Sequence, residues 1–142
     1  MRSLRVLALL VGLISSRAIA CSFGGLEHEV IFTGHEVTLS ATEIRSLVDW
    51  YVKRRDSSLG VLEVAVFALS RKGDAASERE TRQRTATVVD LMRSLSERQS
   101  IPVESRMTAV ATPRAEAYQT VVVTTQPLCE NTRSCCGGMN PE

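Results

Sequence analysis

The stretch Ser77-Glu-Arg-Glu-Thr-Arg-Gln-Arg-Thr-Ala-Thr-Val-Val-Asp-Leu-Met-Arg-Ser-Leu95 has the periodicity of an amphipathic α-helix. Its apolar side chains recur at steps of three and four residues and therefore share one face: Val88, Leu91, Met92 and Leu95. Towards the N-terminus the same face carries Arg84 and then Thr81. The pattern predicts a guanidinium directed towards the interior of the domain, near the start of the helix.

An inward arginine needs an acidic or anionic partner, because a buried charge without one is costly. Arg84 therefore has two interpretations. In the first, it pairs with a carboxylate of the same chain or extends past the edge of the core into water. In the second, it binds a ligand. The partner of this side chain decides the function.

Two helices are predicted from their capping signals. Ser40-Ala-Thr-Glu43 has the form of a capping box, in which serine and glutamate satisfy each other's backbone N–H groups, and it opens a helix over residues 41–55. Ser77-x-x-Glu80 is a second capping box, which opens the helix quoted above. Ser100 and Pro102 end that helix.

Four strands are predicted from short apolar or β-branched runs, at residues 30–32, 61–69, 103–111 and 120–124. The run 61–69 is apolar on both alternating faces apart from Glu63, which is typical of a central strand covered on both sides. Residues 22–29 are predicted to form a loop. The order is βαβαββ, which predicts an α+β sandwich with a mixed sheet packed against two main helices. Ligand sites in such sheets lie at the carboxyl ends of strands, here at the loop Ser70–Asp74.

The N-terminus has the features of an export signal. Arg2 and Arg5 precede an apolar run that ends at Ile14, and Ala18-Ile-Ala20 fits a small-x-small cleavage site. The sequence therefore predicts a signal peptide over residues 1–20, one domain over 21–127 and a cysteine-containing tail over 128–142. Export places the protein in the periplasm or at the outer membrane.

The chain has four cysteines: Cys21, Cys129, Cys135 and Cys136. In an exported protein they are disulfide candidates, and four cysteines allow three connectivities. Cys21 directly follows the predicted cleavage site and also resembles the cysteine of a bacterial lipobox, which becomes lipidated. The two fates of Cys21 remain open, and outer-membrane anchoring is expected only if Cys21 is lipidated.

Composition narrows the function classes. The chain has 142 residues, enough for one modest domain, and only 4% of them are aromatic. Removal of residues 1–20 takes away three of the 17 basic residues and none of the 16 acidic ones, which leaves a formal net charge of −2. This charge disfavours a nucleic-acid partner.

No catalytic, metal or cofactor site is predicted. His28 and His35, with their neighbouring glutamates, do not match a zinc-ligand spacing. The sequence has no glycine-rich phosphate loop, and its two histidines lie in one segment without a compelling nucleophile partner. We therefore expect a binding protein and not an enzyme.

Several local patterns resemble the OmpA C-terminal-like domain, a periplasmic module that holds peptidoglycan. Val30-Ile-Phe32 and the capped helix after Leu39 are similar to the family's opening strand and helix. The run from Leu62 to Ser70 with Arg71-Lys-Gly73 is similar to its second strand and turn. Thr81-x-x-Arg84 is similar to its serine-x-x-arginine helix. The resemblance covers about residues 29–125 and includes Ile101-Pro102, a pair that the family often has at this place.

The resemblance implies a site for the diaminopimelate of a peptidoglycan stem peptide. The family's ligand-binding arginine corresponds to Arg84 and its serine to Thr81. Its aspartate corresponds to Ser70 and its helix-opening asparagine to Ser77, so one half of the charged pair is missing. Asp74 is a candidate for the missing charge, although aspartate is also a common turn residue.

Two functions therefore remain open. The first is a cell-envelope domain that associates with peptidoglycan through Arg84, with binding weakened by the serine at position 70. The second is a periplasmic interaction module that keeps the scaffold, has lost peptidoglycan binding and recognises another envelope protein.

Overall fold

The computed structural model describes residues 25–56, 60–111 and 114–128. The predicted signal peptide lies outside the described residues. The four cysteines lie outside them too, so their pairing and the lipidation of Cys21 stay predictions.

Four strands and two helices make up this part of the chain, in the predicted order βαβαββ. The elements are β1 Glu27–Ile31, α1 Ala41–Asp56, β2 Glu63–Arg71, α2 Ala75–Ser96, β3 Val103–Val110 and β4 Thr120–Gln126. Short 3-10 turns follow α2 and precede β4, at Glu97–Gln99 and Ala115–Tyr118. β1 begins at Glu27, so the loop predicted over residues 22–29 is wrong from that residue onwards.

The strands form one mixed sheet in the order β1-β4-β2-β3. β2 runs parallel to β3, and β4 runs antiparallel to both β1 and β2. The last of the described strands, β4, therefore lies between β1 and β2. The predicted fold class, an α+β arrangement with a mixed sheet and two main helices, is confirmed.

Both helices pack on one face of this sheet. Alternate residues of β2 and β4 point to that face, among them Val64, Val66 and Val123, each 0% exposed. They form a single core cluster with residues of the helices: Leu47 and Tyr51 of α1 and Val88, Val89 and Met92 of α2. Full burial of such a side chain stabilises the fold by about 1.5–3 kcal/mol.

The opposite face of the sheet is open among the described residues, and the prediction that β2 is covered on both sides is wrong. Side chains of β2 alternate between buried and partly exposed, and Phe67 is 37% exposed. Ile31 on β1 is 55% exposed. An apolar strand need not be covered on both faces when its sheet also contains an antiparallel neighbour, because antiparallel sheets commonly have one solvated face.

The first capping box forms only in part. The Ser40 hydroxyl accepts a hydrogen bond from the Glu43 N–H at 3.1 Å, as predicted. The Glu43 carboxylate does not complete the reciprocal bond but accepts one from the Ile31 N–H, at 3.3 Å. This side chain therefore ties the start of α1 to the end of β1.

The prediction of a second capping box, at Ser77-x-x-Glu80, is wrong. α2 begins at Ala75, two residues before Ser77, and its N-cap is Asp74. The Asp74 carboxylate accepts hydrogen bonds from the N–H groups of Ala76 and Ser77, both at 3.0 Å. Aspartate satisfies these donors and also places a negative charge at the positive end of the helix. Gly73, with φ +79°, forms the tight turn that brings Asp74 to this position.

Among the described residues, no helix has both the length and the hydropathy that a membrane span requires.

Candidate functional site

Polar side chains line a cavity of about 260 Å³ between the carboxyl end of β2 and the first turns of α2. Six of these residues carry the chemistry of the site: Arg71, Asp74, Ser77, Glu80, Thr81 and Arg84. The loop before α1 closes the cavity on one side through Gly34 and His35, and Tyr118 closes it on another. The cavity lies where sequence reasoning expects a ligand site, at the end of the central strand.

Arg84 points inward, as predicted, and is only 3% exposed. Its guanidinium donates hydrogen bonds to three backbone carbonyls: from Nε to Glu36 at 2.8 Å, from Nη1 to Tyr118 at 2.9 Å and from Nη2 to Gly34 at 2.5 Å. These carbonyls lie 34 to 50 residues away in the sequence. Arg84 therefore holds the loop after β1 and the turn before β4 against α2.

Glu80 is the acidic partner of Arg84. It lies one helical turn earlier on α2 and forms an ion pair with the Arg84 guanidinium. The ring of Phe32 lies against the same guanidinium, with its centroid 5.3 Å from the central carbon. Of the two interpretations of Arg84, these contacts match the first, because a carboxylate of the same chain neutralises the buried charge.

Glu80 also reaches the outer part of the cavity. Its side chain is 22% exposed, and Oε2 lies 3.1 Å from Nδ1 of His35. His35 itself is 98% exposed. The carboxylate of Glu80 therefore lies between a buried cation and a solvent-exposed imidazole, and part of it is accessible to a ligand.

Hydroxyl groups of α2 tie the helix to the end of β2. Thr81 donates to the Leu69 carbonyl at 3.2 Å and is 3% exposed. Ser77 accepts a hydrogen bond from the Arg71 N–H at 3.0 Å. Both hydroxyls border the cavity while they make structural bonds.

Ser70 lies apart from the other four candidates named in the sequence analysis. It is 2% exposed, faces the helices, and is not among the described residues that line the cavity. Its neighbour on β2, Arg71, lines the cavity in its place. The structure therefore brings together Asp74, Ser77, Thr81 and Arg84 but not Ser70.

Arg71 and Glu80 are site residues that sequence reasoning missed. The Arg71 side chain is 56% exposed, lies 4.0 Å from the Asp74 carboxylate, and stacks over the Tyr118 ring at 5.0 Å from its centroid. A sequence signal existed for Glu80, since glutamate four residues before arginine is a favourable helical pair. Its place in an apparent capping box pointed to a different role.

The cavity combines charges of both signs. Arg71 presents an accessible guanidinium, which is suited to a ligand carboxylate. Asp74, whose side chain is 38% exposed, and Glu80 present carboxylates suited to an ammonium group. The arrangement fits a small zwitterionic group better than a simple anion or cation.

Comparisons with known proteins give a weak match. No protein-family model matches the chain, and no curated protein matches it significantly. Among solved structures, the chain is similar to the OmpA-like domain of FopA1 from Francisella tularensis subsp. tularensis SCHU S4, with 16% sequence identity and a TM-score of 0.43. The match covers 75% of this chain and 80% of that one. A similarity at this level assigns neither a family nor a ligand.

Proposed function

We propose that this chain is an exported cell-envelope domain that binds the zwitterionic end of a peptide, with the peptidoglycan stem peptide as its ligand. One observation carries the proposal: two guanidinium groups and two carboxylates line one small cavity, and three of the four are partly exposed. The patterns shared with OmpA-like domains and the predicted export signal support the same proposal. The role is binding, with no reaction, metal or cofactor.

In this proposal Arg71 binds the carboxylate of the ligand, and Asp74 and Glu80 bind its ammonium group. Arg84 acts as a positioning residue, since its guanidinium is buried and holds Glu80 in place. Ser70, which corresponds to the aspartate of OmpA-like domains, does not line the cavity and supplies no charge there. We therefore expect weak binding.

The alternative function is a periplasmic interaction module that keeps this scaffold and has lost peptidoglycan binding. The contacts of Arg84 support it. A guanidinium already bound to three carbonyls and a carboxylate has little left to offer a ligand. The partner would then be another envelope protein.

Calorimetric titration with a diaminopimelate-containing stem peptide tests the proposal. We expect weak binding by the wild type and at least a tenfold loss of affinity in Arg71→Ala. Arg93→Ala is the matched control, because Arg93 is an exposed arginine of α2 outside the cavity. An absence of binding by the folded wild type favours the interaction module. Equal affinity in wild type and Arg71→Ala removes the site assignment.

The state of the N-terminus is a separate test of export. Mass spectrometry of the protein recovered separately from envelope and cytoplasmic fractions distinguishes an uncleaved chain, a chain cleaved before Cys21 and a lipidated one. An uncleaved chain that stays in the cytoplasm contradicts the cell-envelope proposal.

A further inference from the structure

The strand β3 lies at one edge of the sheet and is exposed along most of its length. Among the described residues, the only strand that pairs with it is β2. Six of its eight residues, 104–109, are exposed, which means that neither face of the strand is well covered. A long, open edge strand is a template for pairing with another strand, and proteins usually protect such edges.

Backbone hydrogen bonds show which residues of β3 face outwards. The Val64 N–H donates to the Pro102 carbonyl and the Lys72 N–H donates to the Val110 carbonyl, both at 2.9 Å. Even-numbered residues of β3 therefore direct their backbone groups towards β2. Because this direction alternates along a strand, the N–H and C=O groups of the odd-numbered residues point to the free edge. These residues are Val103, Ser105, Met107 and Ala109.

The other edge of the sheet, β1, is protected. There the Leu26 carbonyl accepts from the Thr125 N–H, so the even-numbered residues face β4 and the odd-numbered ones face outwards. The outward N–H of Ile31 is already bonded to the Glu43 carboxylate. Glu27 and Glu29 also place two like charges on this short strand. Self-pairing of β1 is therefore disfavoured.

We propose that β3 is a homodimer interface, in which a second copy of this chain adds its own β3 in antiparallel orientation about a two-fold axis at Ser105. The two four-stranded sheets then form one continuous sheet. In this register Ser105 pairs with Ser105 of the second copy, and Val103 pairs with Met107. All of these residues have outward backbone groups, so each pair exchanges two hydrogen bonds.

The charges of β3 select this register. Glu104 and Arg106 lie two residues apart on the open face of the sheet, and their side chains are 59–73% exposed. A two-fold axis at Ser105 places Glu104 of each copy opposite Arg106 of the other. These are non-hydrogen-bonded positions, where opposing side chains come closest. An axis at Glu104 or at Arg106 instead places like charges opposite each other.

The helices leave room for the second strand. Val103, Ser105, Met107 and Ala109 have their side chains on the helix face, next to buried residues of β2, and the last three are exposed. Met107 is 37% exposed. Dimerisation in this register buries Met107 against Val103 of the second copy, which adds apolar contact to the charge pairs.

Analytical ultracentrifugation of charge-reversal variants tests this interface. The protein is used in the form in which it is purified from the cell. We expect a monomer–dimer equilibrium for the wild type and monomers for E104R and for R106E, since each variant places like charges across the axis. An equimolar mixture of E104R and R106E regains the dimer, because every opposing pair is then of opposite charge. R45E, an exposed reversal on α1, leaves the wild-type equilibrium unchanged.

Recovery in the mixture also shows that the single variants are folded. Three results overturn the proposal: a wild type that stays monomeric at all concentrations, single variants that remain dimeric, or a mixture of folded variants that does not associate. Hydrogen exchange gives an independent readout of the register. The amides of Val103, Ser105 and Met107 are expected to exchange more slowly as the protein concentration rises, while those of Glu104 and Arg106 do not change.

Discussion

Glu80 and Arg84 lie one turn apart on α2 and form an ion pair in which the arginine is buried and the glutamate is partly exposed. The pair has both a structural role and a place in the candidate binding site. Its buried side fixes three distant carbonyls, and its exposed side borders the cavity. Any substitution here therefore affects stability as well as binding, and the two effects have to be measured separately.

Arg84→Lys is expected to destabilise the fold although it keeps the charge. An ammonium group is a single donor centre and does not reproduce the planar fork that reaches the carbonyls of Gly34, Glu36 and Tyr118. Hydrogen bonds from a charged group contribute about 1.5–3 kcal/mol each, and the ammonium group replaces only part of the three, so we expect a loss of about 2–3 kcal/mol. Urea denaturation measures it. Arg82→Lys, at an exposed position of the same helix, is the control and changes stability by less than about 0.5 kcal/mol.

Asp74→Ala is expected to lower the free energy of unfolding by about 1 kcal/mol, because it removes the N-cap of α2. Asp74→Ser restores most of this stability, since a serine hydroxyl also caps, but it does not restore the charge in the cavity. Thermal denaturation of the two variants measures the contribution of the cap to stability. Titration of the same variants with the stem peptide measures the contribution of the charge to binding. A full-stability Asp74→Ala variant contradicts the cap assignment.

Tyr51→Phe is expected to cost about 1–3 kcal/mol. The Tyr51 hydroxyl and the Ser96 hydroxyl are both buried and lie 2.9 Å apart, so the substitution leaves the Ser96 group without this partner. Addition of Ser96→Ala to Tyr51→Phe removes the stranded hydroxyl and recovers part of the loss. Chemical denaturation of the two single variants and the double variant measures this coupling. Strict additivity of the two single effects contradicts the pairing.

His28 is expected to make the folded protein less stable as the pH decreases. Burial lowers the pKa of His28 below its usual 6.5, and the nearby carboxylates of Glu43 and Glu29 raise it by less. The His28 ring stacks on the Trp50 ring, with their centroids 5.3 Å apart. The Nε2 atom of His28 is buried without a hydrogen-bond partner among the described residues. As pH falls below 6.5, the unfolded chain takes up the proton first, so stability is lost until the pH reaches the folded pKa.

Comparison with His28→Phe isolates this effect, because the carboxylates titrate in both proteins. We expect the stability of the wild type relative to His28→Phe to decrease between pH 7.5 and pH 5. Trp50 is the only tryptophan of the chain, so its fluorescence reports on unfolding and on the stacked ring. Parallel stability curves for the two proteins refute this role of His28.

The sequence predicted most of the fold because its local signals agreed. Helical periodicity identified α2 and its inward Arg84, and the apolar runs identified β2, β3 and β4. Errors arose where two nearby groups competed for one role. Asp74 and Ser77 are both good N-caps, and only the turn at Gly73 decides between them. Ser70 was predicted as a site residue, but the neighbouring Arg71 lines the cavity and Ser70 faces the core. Side chains alternate between the two faces of a strand, so an error of one residue places a side chain on the wrong face.

The sequence by itself determined the order of helices and strands and the direction in which Arg84 points, because each depends on residues a few positions apart. Only the tertiary structure decided the three carbonyl partners of Arg84, the uncovered face at Phe67 and the position of Glu104 and Arg106 on an edge strand. Those features depend on segments that are distant in the chain, and β4 brings them together when it inserts between β1 and β2. No local periodicity carries that information.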